Sequence, residues 1–168
     1  MSKEESIIGN AGMILLSPFL PRTFDMLGFL DGGSFVNNAA ACRAALFLQY
    51  LVTGDEQYIN AQLALNKILC GLPVEQVLPD SITFTGEEKA VATQMLQAVI
   101  GNWPVISNTP IDGLRETFLQ REGHIILNEE KYRLRIPRKA LDVLVDKVPW
   151  GFSMVKAKWM DKTLSTIW

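Results

Sequence analysis

One histidine, two cysteines and a scatter of carboxylates are the side chains of this 168-residue chain that could do chemistry. His124 follows a Glu122-Gly123 turn and precedes an apolar run. A general base needs an orienting partner, and in this setting the imidazole reads as a loop or strand-edge residue. Cys42 and Cys70 stand far apart on apolar segments without C-x-x-C spacing. With a lone histidine they make no zinc ligand set, and they read as two buried reduced thiols. Gly32-Gly33-Ser34 is too short for a phosphate loop and lacks both the Walker lysine and a preceding strand. Ser153, in Trp150-Gly151-Phe152-Ser153-Met154, is no nucleophile elbow, because the glycine two residues after it is missing. Asp142 and Asp146 sit one helical turn apart, the spacing of a solvated face more than of an acid/base pair. No catalytic, cofactor-binding or metal-ligating set emerges, and the residues alone describe a soluble globular domain that is not an enzyme.

Length and composition bound the rest. A domain of this size removes roughly 70% of its unfolded surface from water, so a single domain over 1–168 is expected. The apolar fraction of 48% and charged fraction of 20% exclude disorder along most of the chain and leave apolar surface to meet a partner. Sixteen basic residues (Lys+Arg 16) against 18 acidic ones give a net charge of −2, which makes no field for a nucleic acid or an anionic membrane. Lys156, Lys158 and Lys162 near Trp159 form too weak a patch to change that. The start, Met1-Ser2-Lys3-Glu4-Glu5, has no basic n-region, and Pro18 and Pro21 break the longest apolar run well short of a membrane span. A protein made and kept in the cytoplasm before any release in a particle is expected.

The elements that must position these residues follow from punctuation and period. Ile7 to Leu16 reads as a short helix ended by Pro18, and Pro21 opens a second helix through Leu27. Asp31-Gly32-Gly33-Ser34 is a turn, after which Asn37 or Asn38 caps a helix to Val52, stopped by Gly54. That helix is apolar nearly all round and belongs in the centre of a bundle. Gln57 to Cys70 reads as the next helix, closed by Gly71 and Pro73, and 74–84 as a loop. Thr85-Gly86-Glu87-Glu88 is a capping box before the periodic Val91, Met95, Leu96, Val99, Ile100 and Trp103. Asp112 caps a shorter helix through Arg121. Ile125 to Ile136 reads as a hairpin whose second strand alternates apolar and basic residues. Arg138 to Val145 reads as helical, with two further strands in Gly151 to Ala157 and Lys162 to Trp168. The expected fold is α+β: a mostly helical body over 7–122, then a small antiparallel β-sheet at the C-terminal end over 124–168.

Two readings stand for each prominent motif. Leu15, Leu16, Phe19 and Leu20 of the opening run are either core residues at a proline kink or a strip that docks on a partner. The helix Gly113 to Arg121 either ties down loops with Arg115 and Arg121 or offers them to a partner. Trp103 and Trp150 read as core, while Trp168 either packs back on the sheet or anchors an interface.

The run Asn10-Ala11-Gly12-Met13-Ile14-Leu15-Leu16-Ser17-Pro18-Phe19-Leu20-Pro21, the segment Gly113 to Gly123 and Pro149-Trp150-Gly151-Phe152-Ser153 together resemble the tape measure proteins of phage-tail-like contractile injection systems. The likeness continues through Leu48 to Gly54, Leu65 to Pro73, Asp142 to Asp146 and Lys158-Trp159-Met160, in similar order and spacing, and so spans nearly the whole chain. Ala157 departs from it where a more apolar residue would be expected. The resemblance implies a non-enzymatic assembly protein without cofactors, related to the ruler that sets tube length. A helix of this entire length would span only on the order of 250 Å. The chain is therefore expected to anchor a ruler, as its terminal domain or as a short paralogue, and not to measure a long tube by itself. Implied partners are tube, spike or baseplate proteins, with self-association possible and neither nucleic acid nor membrane insertion. The candidate interaction residues are Leu16, Phe19, Leu20, Arg115, Arg121, Trp159 and Trp168. The rival reading is a small-ligand-binding or enzymatic domain with a cleft between helices and sheet, where Arg115, Asn108 and Asp112 could converge.

Overall fold

The computed structural model describes residues 4–168. Its first element, β1 (Glu4–Ile8), is a strand where the start of a helix was expected. The β-branched Ile7 and Ile8 suit an extended pleat, and pairing with a strand from the far end of the chain holds them there. Ala11–Phe19 then winds as a 3-10 helix, with every residue from Ala11 to Ser17 buried. Pro18 does not end this winding, which runs on directly into α1 (Leu20–Met26) with Pro21 in its first turn.

Gly32 and Gly33, at φ of 62° and 83°, make the tight turn between β2 (Leu30–Asp31) and β3 (Ser34–Phe35). The Asn37 side chain accepts the Ala40 N–H at 2.8 Å and opens α2 (Asn38–Thr53), which Gly54 stops at φ 73°. Ala44 to Leu48 are all buried, so the middle of α2 is enclosed on every side, while Asn38 and Ala39 at its start are exposed.

The following helix is shorter than its sequence suggests: a 3-10 turn at Asn60–Gln62 and then α3 (Ala64–Leu69). Asn60 exchanges side-chain hydrogen bonds with the backbone of Leu78, and Tyr58 donates to the Pro79 carbonyl. These bonds hold 58–60 against the 78–79 loop in place of helical winding. The capping box forms as expected at the start of α4 (Gly86–Gly101): Thr85 Oγ1 accepts the Glu88 N–H at 3.1 Å, and Glu88 Oε1 accepts the Thr85 N–H at 2.9 Å. Pro110, not Asp112, stands at the N-cap of α5 (Ile111–Leu114), which widens into a π-helical turn over Arg115–Leu119.

The hairpin β4 (Gly123–Leu127) and β5 (Tyr132–Arg135) is present. In place of a helix beyond Arg138 there are two 3-10 turns, Ala140–Val143 and Val145–Lys147. The chain closes with β6 (Met154–Val155) and β7 (Leu164–Ile167). The fold is α+β, but two features of the expected sheet are corrected. Its strands are not confined to the C-terminal end, because the order β1-β4-β5-β7-β6 places β1 at one edge and β2 and β3 form a separate ribbon. It is also mixed, not antiparallel: the connection over 136–163 returns the chain to the end at which β5 starts, so β7 runs parallel to β5. One contiguous apolar core joins the inner face of this sheet to the helices.

Candidate functional site

The opening run, the segment Gly113 to Gly123 and the Trp150 segment meet inside the molecule. Gly12 lies so close to the π-helical turn that an added Cβ would fall 1.7 Å from the Phe118 carbonyl oxygen. Only a glycine allows that approach between opening run and turn. A Cβ on Gly123 would likewise sit 2.4 Å from that of Ala11. Trp150 reaches back to donate its indole N–H to the Leu15 carbonyl at 2.9 Å and packs edge-on against Phe19, ring centroids 5.0 Å apart. Asn10 ties the run to α2 and α3, its amide donating to Gln49 Oε1 at 2.6 Å and Asn66 Oδ1 at 3.0 Å.

Arg121 is 2% exposed and holds Asp142, at 0%, in a bidentate pair of 2.7 and 2.8 Å. Asp142 is therefore not on a solvated face. Burial by itself would raise its pKa, but the Arg121 guanidinium, the Lys139 N–H and the Trp168 indole N–H outweigh it and draw the carboxyl down to about 2. The Trp168 ring lies over the Arg121 guanidinium at 5.4 Å, so the last residue packs back onto the body. Asp146, by contrast, is exposed and paired with Arg138 at 2.8 Å.

Arg115 also turns inward. Its Nε donates to the Leu51 carbonyl at 3.0 Å while Gln120 donates to that of Val52 at 3.0 Å, so the π-helical turn covers the last carbonyls of α2 with a cation and an amide. Trp159 donates to the Leu69 carbonyl at 2.7 Å and stands among Phe24 and Phe35, with centroids at 5.9 and 5.1 Å. Lys158 donates to the Gly32 carbonyl at 2.7 Å and Lys162 to that of Asn128 at 3.1 Å, so these lysines brace loops.

Of the seven candidate interaction residues, Leu16 and Leu20 lie in the core at 0% and 2% exposure. Arg115, Arg121, Trp159 and Trp168 hold the fold through the contacts above. Phe19 reaches a surface: it lines a mostly apolar groove of about 450 Å³ between α1 and α4, with Met26, Val91, Met95 and Ala98 beside the polar Arg22, Gln94 and Asn102. No sequence signal marked the α4 side of that groove, since Val91 and Ala98 fit any amphipathic helix.

A cleft of about 520 Å³ lies between the loop that follows α3 and the β4–β5 turn end of the sheet, lined by no helix and away from Arg115, Asn108 and Asp112. Leu72, Glu75, Tyr132, Asp161 and Lys162 line it. Burial first, then the neighbouring Asp161, push the Tyr132 phenol up to about 12, so it stays protonated at neutral pH. His124 stands on β4 with Nδ1 3.1 Å from Glu5 Oε1. Cys70 is buried and Cys42 only half-buried, and both are free thiols. Among the described residues, no group of three or more His, Cys, Asp or Glu side chains could hold a metal ion, and no helix is long and apolar enough to cross a membrane.

The family model of the contractile injection system tape measure proteins matches residues 1–168, the whole chain. The chain belongs to that family. Membership in the tape measure family is consistent with a structural role, and it accounts for the co-linear motifs now seen to meet in one core. The chain matches no curated protein and no solved structure.

Proposed function

We propose that this tape measure family member is a non-enzymatic assembly domain over 1–168 that anchors the ruler to tube, spike or baseplate proteins, through the groove at Phe19. The protein acts in the cytoplasm during assembly and is then carried in the particle. The observation that carries this reading is the family match along the entire chain. The groove supports it further: Met26 is 53% exposed beside Phe19, an apolar side chain held outward at the rim of a concave site. Leu20 belongs to α1 itself and Trp159 packs on Phe24 of α1, so these two fix one wall of that groove.

The test is co-purification of the tagged full chain from cells expressing the complete injection-system operon. The control carries Met26→Asp and Ala98→Asp, both exposed groove positions, with its fold verified by circular dichroism. Tube, spike or baseplate proteins should accompany the wild type and be lost from the variant. Equal recovery by both, or recovery of none of these proteins, overturns the reading.

A further inference from the structure

The five-stranded sheet has a second face, and its register decides what that face carries. Ile7, His124, Arg135 and Ile167 stand opposite one another in a row across β1, β4, β5 and β7. Glu5, Ile126, Arg133, Ser165 and Met154 form the next such row. Residues directly opposite share a face, so these two rows lie on one side of the sheet. The intervening positions, among them Ile8, Ile125, Leu134, Thr166 and Leu164, are buried on the other. The outer rows remain open: Ile7 is 58% exposed, Met154 61% and Ile167 67%.

Charge on this face is not balanced. His124 sits between Glu5 at 3.1 Å and Glu122 at 4.0 Å, so the β1 side holds its own carboxylates. The side chains of Arg133 and Arg135, both exposed on the central strand, make no hydrogen bond or ion pair among the described residues. The face is thus a cationic ridge on β5, with Ile7 and Ile126 on one flank and Ile167 and Met154 on the other.

We infer that this face docks an acidic amphipathic helix of a partner protein. Arg133 and Arg135 are two residues apart on one strand, about 6.7 Å, and carboxylates four residues apart on a helix rise about 6 Å, so two Glu or Asp side chains on one helical face meet both guanidinium groups. The apolar flanks fit the same occupant. Ile7 and Ile167 are separated by three strand spacings, about 14 Å, and a helix about 10–12 Å across that lies along β5 brings apolar side chains onto both flanks. Planar guanidinium groups favour carboxylates in paired hydrogen bonds and give such a helix its register.

The test uses the full chain and two synthetic helical peptides, one with glutamates four residues apart flanked by leucines and one with lysines in place of the glutamates. Binding is read by fluorescence anisotropy at low and moderate salt, beside flotation with anionic phospholipid vesicles. The acidic peptide should bind at least about tenfold more tightly than its lysine twin, and more weakly as salt rises. Arg133→Gln with Arg135→Gln should remove that preference, and Ile167→Asp should weaken the acidic peptide about tenfold. Arg22→Gln at the Phe19 groove should leave it unchanged, which separates this face from the groove. Equal binding of the two peptides, no binding of the acidic one, insensitivity to the face variants, or a preference for vesicles overturns the inference.

Discussion

Arg121 and Asp142 meet through two hydrogen bonds of 2.7 and 2.8 Å at the point where the π-helical turn, the 3-10 turns and the C-terminal strand converge. Asp142 in turn accepts from the N–H of Lys139, the cap of its own 3-10 turn, and from the Trp168 indole, so one carboxylate joins three parts of the chain. Arg121 adds bonds to the carbonyls of Pro137 at 3.0 Å and Thr117 at 3.5 Å. Both oxygens of Asp142 and both terminal nitrogens of Arg121 are answered, which helps two charges to be tolerated away from water.

Breaking the pair from one side leaves an uncompensated charge. Arg121→Met should destabilise the fold by about 3–5 kcal/mol, read as a fall in the urea midpoint at unchanged slope. A loss below about 1 kcal/mol would show that water enters the site and that the pair does not hold these elements together.

The same carboxylate sets an acid limb. Its pKa in the folded chain, about 2, lies below the ordinary 3.8, so the stabilisation it contributes is fully present above the ordinary value and disappears as pH falls toward 2. The difference corresponds to about 2 kcal/mol. Asp142→Asn should lower stability at neutral pH and flatten the decline between pH 4 and 2 relative to wild type. Parallel curves for the two proteins through that window would refute the assignment.

Two glycines should respond to alanine in opposite directions. At Gly12 the new methyl meets the Phe118 backbone oxygen, which cannot move without displacing the whole turn, and Gly12→Ala should cost more than about 3 kcal/mol. At Gly101, in the last turn of α4, the methyl meets open space, and Gly101→Ala should raise stability by about 0.5–1 kcal/mol. Thermal melts of the pair decide it, and a tolerated alanine at position 12 would mean that the opening run is not packed against the turn.

Local chemistry was legible along the chain wherever a segment carries its own instructions. The Thr85 capping box, the Gly54 stop of α2, the Gly32-Gly33 turn and the β4–β5 hairpin all depend on residues within a few positions of one another, and each stands where the sequence puts it, while of the two caps it offered for α2 the structure uses Asn37. The family was legible too, since co-linear motifs survive without knowledge of their contacts.

What only the tertiary structure decided depends on partners far away in the chain. Ile7 and Ile8 become a strand because β4 lies 115 or more positions downstream to pair with them, and β7 is parallel because a long connection returns it to the start of β5. The burial of Leu16, Leu20 and Asp142 has the same origin. An apolar strip has the same sequence whether it faces solvent or Trp150, and a carboxylate one turn from another looks solvated until an arginine 21 residues earlier is found beside it. Periodicity records which residues share a face, but the face that is covered is chosen by whichever distant element closes over it. That choice left Phe19 and the two arginines of β5 at the surface and drew the other prominent residues inside.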